Sequence, residues 1–351
     1  MKTTRTATAA ALAIAAVGLL AVPGAASARP IHIDDNGRNA YEIGLFGDMP
    51  YGDTGRAQYP ALLADMNAHD LALSLFDGDM KNGSEPCYAS FDGSAQAAGK
   101  TDVYTYERDL LNTLKAPVIT TPGDNEWTDC DRPATKGPTF DANGRLAYER
   151  QVFFATAQTQ GQEPTTVTRQ SSQYPENATK TVGPVTYATV NVPGSNNNWA
   201  ITPADGNVAE AQAEYTARNA ANLAWIRSTF DAARAARSKA VMLVVQADMF
   251  PQTNGNSPSD HFTDTKALIA RQAAAFGGQV VVVNGDSHYF QVDKPFTDDA
   301  GKTIENLTRV MTFGSGQNHW VSATVDGRDP NVFSFHQHIV AANVPTYSFT
   351  G

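Results

Sequence analysis

The sequence predicts an α/β fold with largely parallel β-structure, and three observations predict it. Short apolar runs alternate with stretches of helical spacing along most of the chain. The runs at 241–245 and 280–283 are aliphatic throughout, as buried strands require. Five of the runs lead into a short loop bearing an aspartate: Asp48, Asp79, Asp124, Asp248 and Asp286.

In chain order, 41–46 reads as a strand ending in Gly47-Asp48, and 59–68 has helical spacing. A second strand, 71–76, leads into Gly78-Asp79, and a Gly- and Ser-rich loop follows over 81–101. A helix over 103–114 precedes a third strand, 117–121, which leads into Gly123-Asp124. The stretch 181–192 holds one or two strands before the polar turn Gly194-Ser195-Asn196-Asn197-Asn198. The longest helix spans 208–237, strand 241–245 leads into Gln246-Ala247-Asp248, and 260–276 is helical. Strand 280–283 leads into Asn284-Gly285-Asp286-Ser287-His288, and β-structure with turns at Gly314 and Gly327 fills the tail. No linker or internal repeat divides this series, so one domain over 29–351 is expected.

Residues 1–28 read as a secretory signal peptide. Lys2 and Arg5, an apolar stretch over 10–22 and Ala26-Ser27-Ala28 follow the export order of charge, short apolar core and small-residue cleavage site. That core is shorter than the roughly 20 residues of a spanning helix, and no later segment is long and apolar enough to span a bilayer. The expected location is outside the cytoplasm. With 42% hydrophobic and 18% charged residues the chain can bury a sizeable core. Its formal charge of −10, with no Lys/Arg cluster to reverse it locally, argues against nucleic-acid or anionic-membrane partners. The only two cysteines, Cys87 and Cys130, are expected to form a disulfide in an exported protein.

The strand-end aspartates carry the chemistry. In parallel α/β sheets, sites gather at the carboxyl ends of strands, and a glycine before the aspartate lets the backbone turn there. Carboxylates gathered without partners repel and their pKa values rise. A hard divalent cation relieves that repulsion. One or two such ions acidify water and stabilise in-line displacement at phosphorus.

The series Phe46-Gly47-Asp48, Asp77-Gly78-Asp79-Met80-Lys81-Asn82-Gly83, Pro122-Gly123-Asp124-Asn125-Glu126 and Gly285-Asp286-Ser287-His288, with the later Gly314-Ser315-Gly316-Gln317-Asn318-His319, resembles the ordered motifs of calcineurin-like metallophosphoesterases. The resemblance implies a sandwich of two β-sheets flanked by helices, and hydrolysis of a phosphomonoester or phosphodiester by metal-activated water. It places Asp48 on a first metal, Asp79 between two metals, Asp124 on the second and His288 on the first. Asp248 and Asp286 complete the candidate metal set, with Gln246 the alternative to Asp248. Asn125 stands where the family has its histidine proton donor, and Asp48-Met49-Pro50 stands where it has Asp-x-His. Asn125 and His288 are the candidate catalytic residues; Lys81, Asn125, Asn197 and His319 are the candidate substrate-binding residues. Mg²⁺, Mn²⁺ or Ca²⁺ is favoured over Zn²⁺, because only His288 offers nitrogen in the set. Replacement of imidazoles by carboxylates weakens the positive field at the metals, so the alternative is a catalytically weak or inactive metal-binding protein of the same fold. A paired-carboxylate hydrolase acting on glycosides is a third class. Outside the motifs, His336 and His338 face one side of a strand, as a surface pair or a metal pair, and His69 reads as structural.

Overall fold

The computed structural model describes residues 40–133, 136–250 and 260–349. The expected leader, 1–28, lies outside the described residues.

Two sheets form the centre. In the five-stranded sheet β1 (Ala40–Phe46), β2 (Leu71–Phe76) and β3 (Val118–Thr120) lie side by side and parallel. β11 (Trp320–Asp326) and β12 (Phe333–His338) extend it antiparallel beyond β1. The seven-stranded sheet runs in the order β4 (Thr168–Arg169), β5 (Ala178–Val182), β6 (Val185–Thr189), β7 (Ala240–Val244), β8 (Gln279–Asn284), β10 (Leu307–Met311), β9 (Gln291–Asp293). It is parallel from β6 to β10 and antiparallel at both margins.

Strand alternation explains the layering. Ile43 and Leu45 of β1 and Leu73 and Leu75 of β2 face the other sheet, meeting Tyr187, Met242, Val244, Val281 and Val283. The next residues along, Phe46 and Phe76, face outward onto α1 (Gly52–Met66) and α3 (Val103–Leu111) through Tyr59, Leu62, Leu63, Met66, Tyr104 and Leu111. On the other side Val241, Leu243, Val280 and Val282 pack against Trp225, Ile226 and Phe230 of α6 (Val208–Ala236) and Leu268 and Ile269 of α7 (Thr263–Phe276). Strands covered on both faces carry unbroken apolar runs, which is why they are readable from sequence. The layers are the expected sandwich of two β-sheets flanked by helices. Three further helical elements are α2 (Ser94–Ala98), α4 (Ala142–Phe153) and α5 (Gly194–Asn198).

The helices show where sequence periodicity falls short. α1 starts at Gly52, not near 59, and carries Pro60 inside it. Its buried Tyr59, Leu62, Leu63 and Met66 hold the helix despite the missing Pro60 amide. α4 has no counterpart in the sequence expectation because its buried face includes Arg145 and Glu149. Arg145 pairs with Asp92 at 2.9 Å and stacks 4.1 Å from the Phe140 ring.

A buried carboxyl gives a pH-dependent prediction. Glu107 of α3 is fully buried and its Oε1 accepts from Tyr59 Oη at 2.7 Å. Burial pushes its pKa up to about 8. A carboxyl raised on folding favours the fold while protonated, so its contribution is present at low pH and is lost as pH rises from about 4.5 toward 8, at about 1.4 kcal/mol per unit. Glu107→Gln is therefore expected to gain stability relative to the unaltered protein between pH 5 and 8. Urea midpoints of both proteins at the two pH values test this, and parallel pH profiles would count against it.

Candidate metal centre

The parallel strands of both sheets deliver their carboxyl ends to one edge of the sandwich. Asp48, Asp79 and Asp124 follow β1, β2 and β3; α5, Gln246 and the pair Asp286 and His288 follow β6, β7 and β8. Contacts then cross between the sheets. The Asp286 amide donates to Asp48 Oδ2 at 2.9 Å, and His288 Nε2 stands 3.3 Å from Asp48 Oδ1. Gln246 Nε2 donates to Asp79 Oδ2 at 3.1 Å, and Ser195 Oγ donates to Asp124 Oδ2. The backbone turns sharply to aim these groups: Asp48, Asp79, Asp286 and His288 all have positive φ, between 52° and 71°. Such left-handed non-glycine residues cost of order 1 kcal/mol each and concentrate at functional sites.

Two glycines make the close approach possible. A Cβ at Gly123 would fall 2.0 Å from Asp79 Oδ1. One at Gly194 would stand 2.8 Å from Asp124 Oδ2 and 3.1 Å from Asp286 Oδ2, so any side chain there would fill the gap between two carboxylates from different sheets.

Asp79 is the hub. Its Oδ2 accepts from Tyr51 Oη at 2.8 Å, Asn125 Nδ2 at 2.7 Å and Gln246 Nε2 at 3.1 Å, and its Oδ1 accepts from the Asn125 amide at 3.0 Å. Tyr51 Oη in turn accepts from Asn125 Nδ2 at 2.6 Å, and its ring meets His288 edge-on at 5.2 Å. Burial and then the charges of Asp79, Asp48 and Asp124 hold the Tyr51 phenol well above its ordinary pKa, so it is a hydrogen-bond donor throughout the neutral range.

The electrostatics show what the cluster lacks. Burial, then Asp124, Glu126 and Asp48, push the Asp79 carboxyl well above the usual carboxylate range; burial, then Asp124 and Asp48, do the same to Asp286. Burial disfavours the charged imidazole of His288, but the hydrogen bond and charge of Asp48, with Asp124 behind it, outweigh burial and raise its pKa. Carboxylates whose protons are retained for want of positive charge are the donor set a divalent cation fits. Among the described residues, the trio whose ligand atoms all lie within 4.8 Å of one another is Glu42, His69 and His338, which lies elsewhere.

The remaining sequence candidates fall around this cluster. Asp248 Oδ1 accepts from Arg309 Nη1 at 2.7 Å and from the Phe250 amide at 2.9 Å, while Oδ2 accepts from Ser287 Oγ at 2.7 Å. Its neighbour Gln246 is the residue of that loop that reaches Asp79. Asn197 has its side chain engaged by Arg218 Nη1 at 2.7 Å and by the His261 carbonyl at 3.0 Å. Lys81 is buried with Nζ on the Asn82 carbonyl at 3.0 Å, and burial lowers its pKa against the pull of Asp129 and Glu126. His319 accepts from the Val340 amide through Nδ1 at 3.2 Å and meets Phe313 edge-on. Asn125 is turned to Asp79 and Tyr51.

Sequence reasoning missed several participants. Tyr51 carries no signal beyond its place three residues after Asp48. Glu126, at the end of the Gly123-Asp124-Asn125-Glu126 motif, accepts the Asp79 amide at 3.1 Å, and burial pushes its pKa up to about 7. Asp129 Oδ1 lies 2.8 Å from Ser195 Oγ and accepts from Arg132 Nη1 at 2.9 Å; burial and then Asp124 push it up to about 7. The turn at 194–198, expected as an ordinary polar turn, has Ser195, Asn196, Asn197 and Asn198 all left-handed, with φ from 51° to 61°. Buried Arg218 holds it, bonding the Asn197 side chain and its carbonyl at 3.0 Å with the guanidinium 5.3 Å from the Trp127 ring.

Cys87 and Cys130 are joined, with Cα atoms 5.7 Å apart. Both sulfurs lie beside the carbonyl of Asn125, so the bridge abuts the loop that supplies Asp124. Among the described residues no helix is long and apolar enough to cross a membrane.

No protein-family model matches the chain, and no curated protein matches it. Among solved structures it is similar to GAP50, the anchor in the inner membrane complex of Plasmodium, at 10% identity and TM-score 0.43, over 86% of this chain and 89% of that one. It is also similar to the sulfate thiohydrolase SoxB of Thermus thermophilus, at 13% identity and TM-score 0.39, over 82% of this chain and 42% of that one. A Staphylococcus aureus structure described as a 5'-nucleotidase aligns at 10% identity and TM-score 0.42, over 89% of this chain and 56% of that one. The chain thus spans less than two thirds of the length of the last two.

Proposed function

We propose that the chain is an exported, metal-dependent phosphoester hydrolase with one or two divalent cations, Mg²⁺, Mn²⁺ or Ca²⁺, in this cleft. The observation that carries the reading is the convergence of Asp48, Asp79 and Asp124 from one sheet with Asp286 and His288 from the other. When bound, a divalent cation supplies neutralising charge and an acidified water for in-line displacement at phosphorus.

The chain's own residues do the rest. Asp48, Asp79, Asp124, Asp286 and His288 would hold the cation. Tyr51, Asn125 and Gln246 fix the orientation of the Asp79 carboxylate by donating to it. The Asp48 carboxylate, 3.3 Å from His288 Nε2, favours the proton of that imidazole. Neutralising Asp48 weakens the attraction that retains this proton and leaves Nε2 free as a ligand. Asn125 has no titratable proton, so it positions and does not act as an acid. That last observation favours a second reading, a cation-binding protein of the same fold without turnover. The disulfide is compatible with an oxidising compartment, which supports export.

The test is an assay of the purified protein against phosphomonoesters and phosphodiesters with Mg²⁺, Mn²⁺ or Ca²⁺, before and after chelation. Hydrolysis that needs the cation and falls at least about 10²-fold in His288→Ala is the expected result. Hydrolysis untouched by chelator would overturn it in favour of paired-carboxylate chemistry. Bound cation without hydrolysis of any substrate would select the second reading.

A further inference from the structure

A second cluster of ligand-type side chains lies on the α1 side of the five-stranded sheet. Glu42 is on β1, His338 is on β12, and His69 follows α1 in the turn to β2. Glu42 is six residues before Asp48 on an extended strand, which separates the cluster from the cleft by roughly 20 Å.

His69 Nδ1 is 3.3 Å from Glu42 Oε2, and His338 Nε2 is 3.8 Å from Glu42 Oε1. One ligand atom from each of the three residues lies within 4.8 Å of the others. Donors held tetrahedrally at about 2.1 Å from one ion stand about 3.4 Å apart. The two ring nitrogens stand near that separation from the Glu42 carboxylate, 3.3 Å from one of its oxygens and 3.8 Å from the other.

The rings are held in place from behind. The Trp320 indole stacks on His338 at 3.9 Å and 10°, meets His69 edge-on at 5.0 Å, and is itself fixed by Nε1 donating to Asp65 Oδ2 at 2.7 Å. Ser322 Oγ, 2.8 Å from His338 Nε2, is the hydrogen-bond partner that an ion at that nitrogen would displace. The ligand side chains keep 32%, 28% and 20% exposure for His69, Glu42 and His338, so an ion has access from solvent. Of the two alternating histidines on β12, His338 meets the His69 ring edge-on, while His336 is exposed and outside the trio.

We propose that Glu42, His69 and His338 form a second metal site, for a borderline divalent ion such as Zn²⁺, Cu²⁺ or Ni²⁺. Two imidazoles and one carboxylate match that class, whereas the mainly oxygen donors of the cleft match hard ions. The site ties β1, β12 and the α1–β2 turn together, and it is independent of the proposed hydrolytic reading.

The experiment is Cu²⁺ titration of the full chain carrying His288→Ala, which removes the cleft's imidazole, read by dialysis and by nitrogen hyperfine splitting in the electron paramagnetic resonance spectrum. One equivalent with nitrogen coupling is expected. Adding Glu42→Gln or His338→Ala should weaken it at least tenfold, and adding His336→Ala should not. Far-UV circular dichroism reports whether each variant folds; if His338→Ala does not, Glu42→Gln decides. No nitrogen-coupled ion in the His288→Ala protein, or unchanged affinity with Glu42→Gln, overturns the proposal.

Discussion

Asp79→Ala is expected to empty the cleft of its cation and to lower any phosphoester turnover at least about 10²-fold. The substitution removes a carboxylate on which four donors converge, from Tyr51, Asn125 and Gln246, and leaves those donors facing a void. Asp79→Asn separates charge from volume. It keeps the size of the side chain but removes the negative charge that burial and Asp124 already disfavour. The metal-free Asn variant should therefore be at least as stable as the metal-free unaltered protein, while binding no cation. With cation at a hundred times its dissociation constant, chelation should cost the unaltered protein about 2.7 kcal/mol and the Asn variant nothing. Elemental analysis and melting curves with and without chelator read both quantities. Full metal content in Asp79→Ala would remove the cleft as the binding site.

Reduction of the Cys87–Cys130 bridge should produce the second large effect. The bridge spans a sequence separation of 43, for which the chain-entropy account gives about 4 kcal/mol. For a fold of this size that is a fall of about 6 °C in melting temperature. Because both sulfurs abut the Asn125 carbonyl, cation affinity should fall with it. A Cys87→Ala, Cys130→Ala protein that melts at the original temperature and binds cation unchanged would show that the loop geometry is held by packing alone.

The sequence exposes those parts of the molecule whose cause is local. β7 and β8 are buried on both faces, so 241–245 and 280–283 are apolar without interruption. Asp48, Asp79, Asp124 and Asp286 end strands, and a strand end is visible one residue at a time. What stays hidden depends on partners distant in the chain. Asp248 looks like the other strand-end aspartates until Arg309 is brought 2.7 Å from it. His69 looks structural until β12 places His338 beside it, with ring centroids 4.6 Å apart. α4 is obscured for another reason: Arg145 and Glu149 point inward, so its buried face does not read as apolar. Tyr51 belongs to the cleft only because the chain turns back after Asp48, which no side-chain pattern announces.

The division of the cleft between two sheets also fixes an order of assembly. Asp48, Asp79 and Asp124 are supplied by the first three strands of the chain, whereas Asp286 and His288 wait for β8. A chain emerging from its amino terminus carries three of these carboxylates long before it carries the imidazole. Closure needs contacts between residues far apart in sequence, the slowest kind to form. On the proposed reading, high-affinity cation uptake would be a property of the finished sandwich, and the ion would act as a late clasp between two halves that have already found each other.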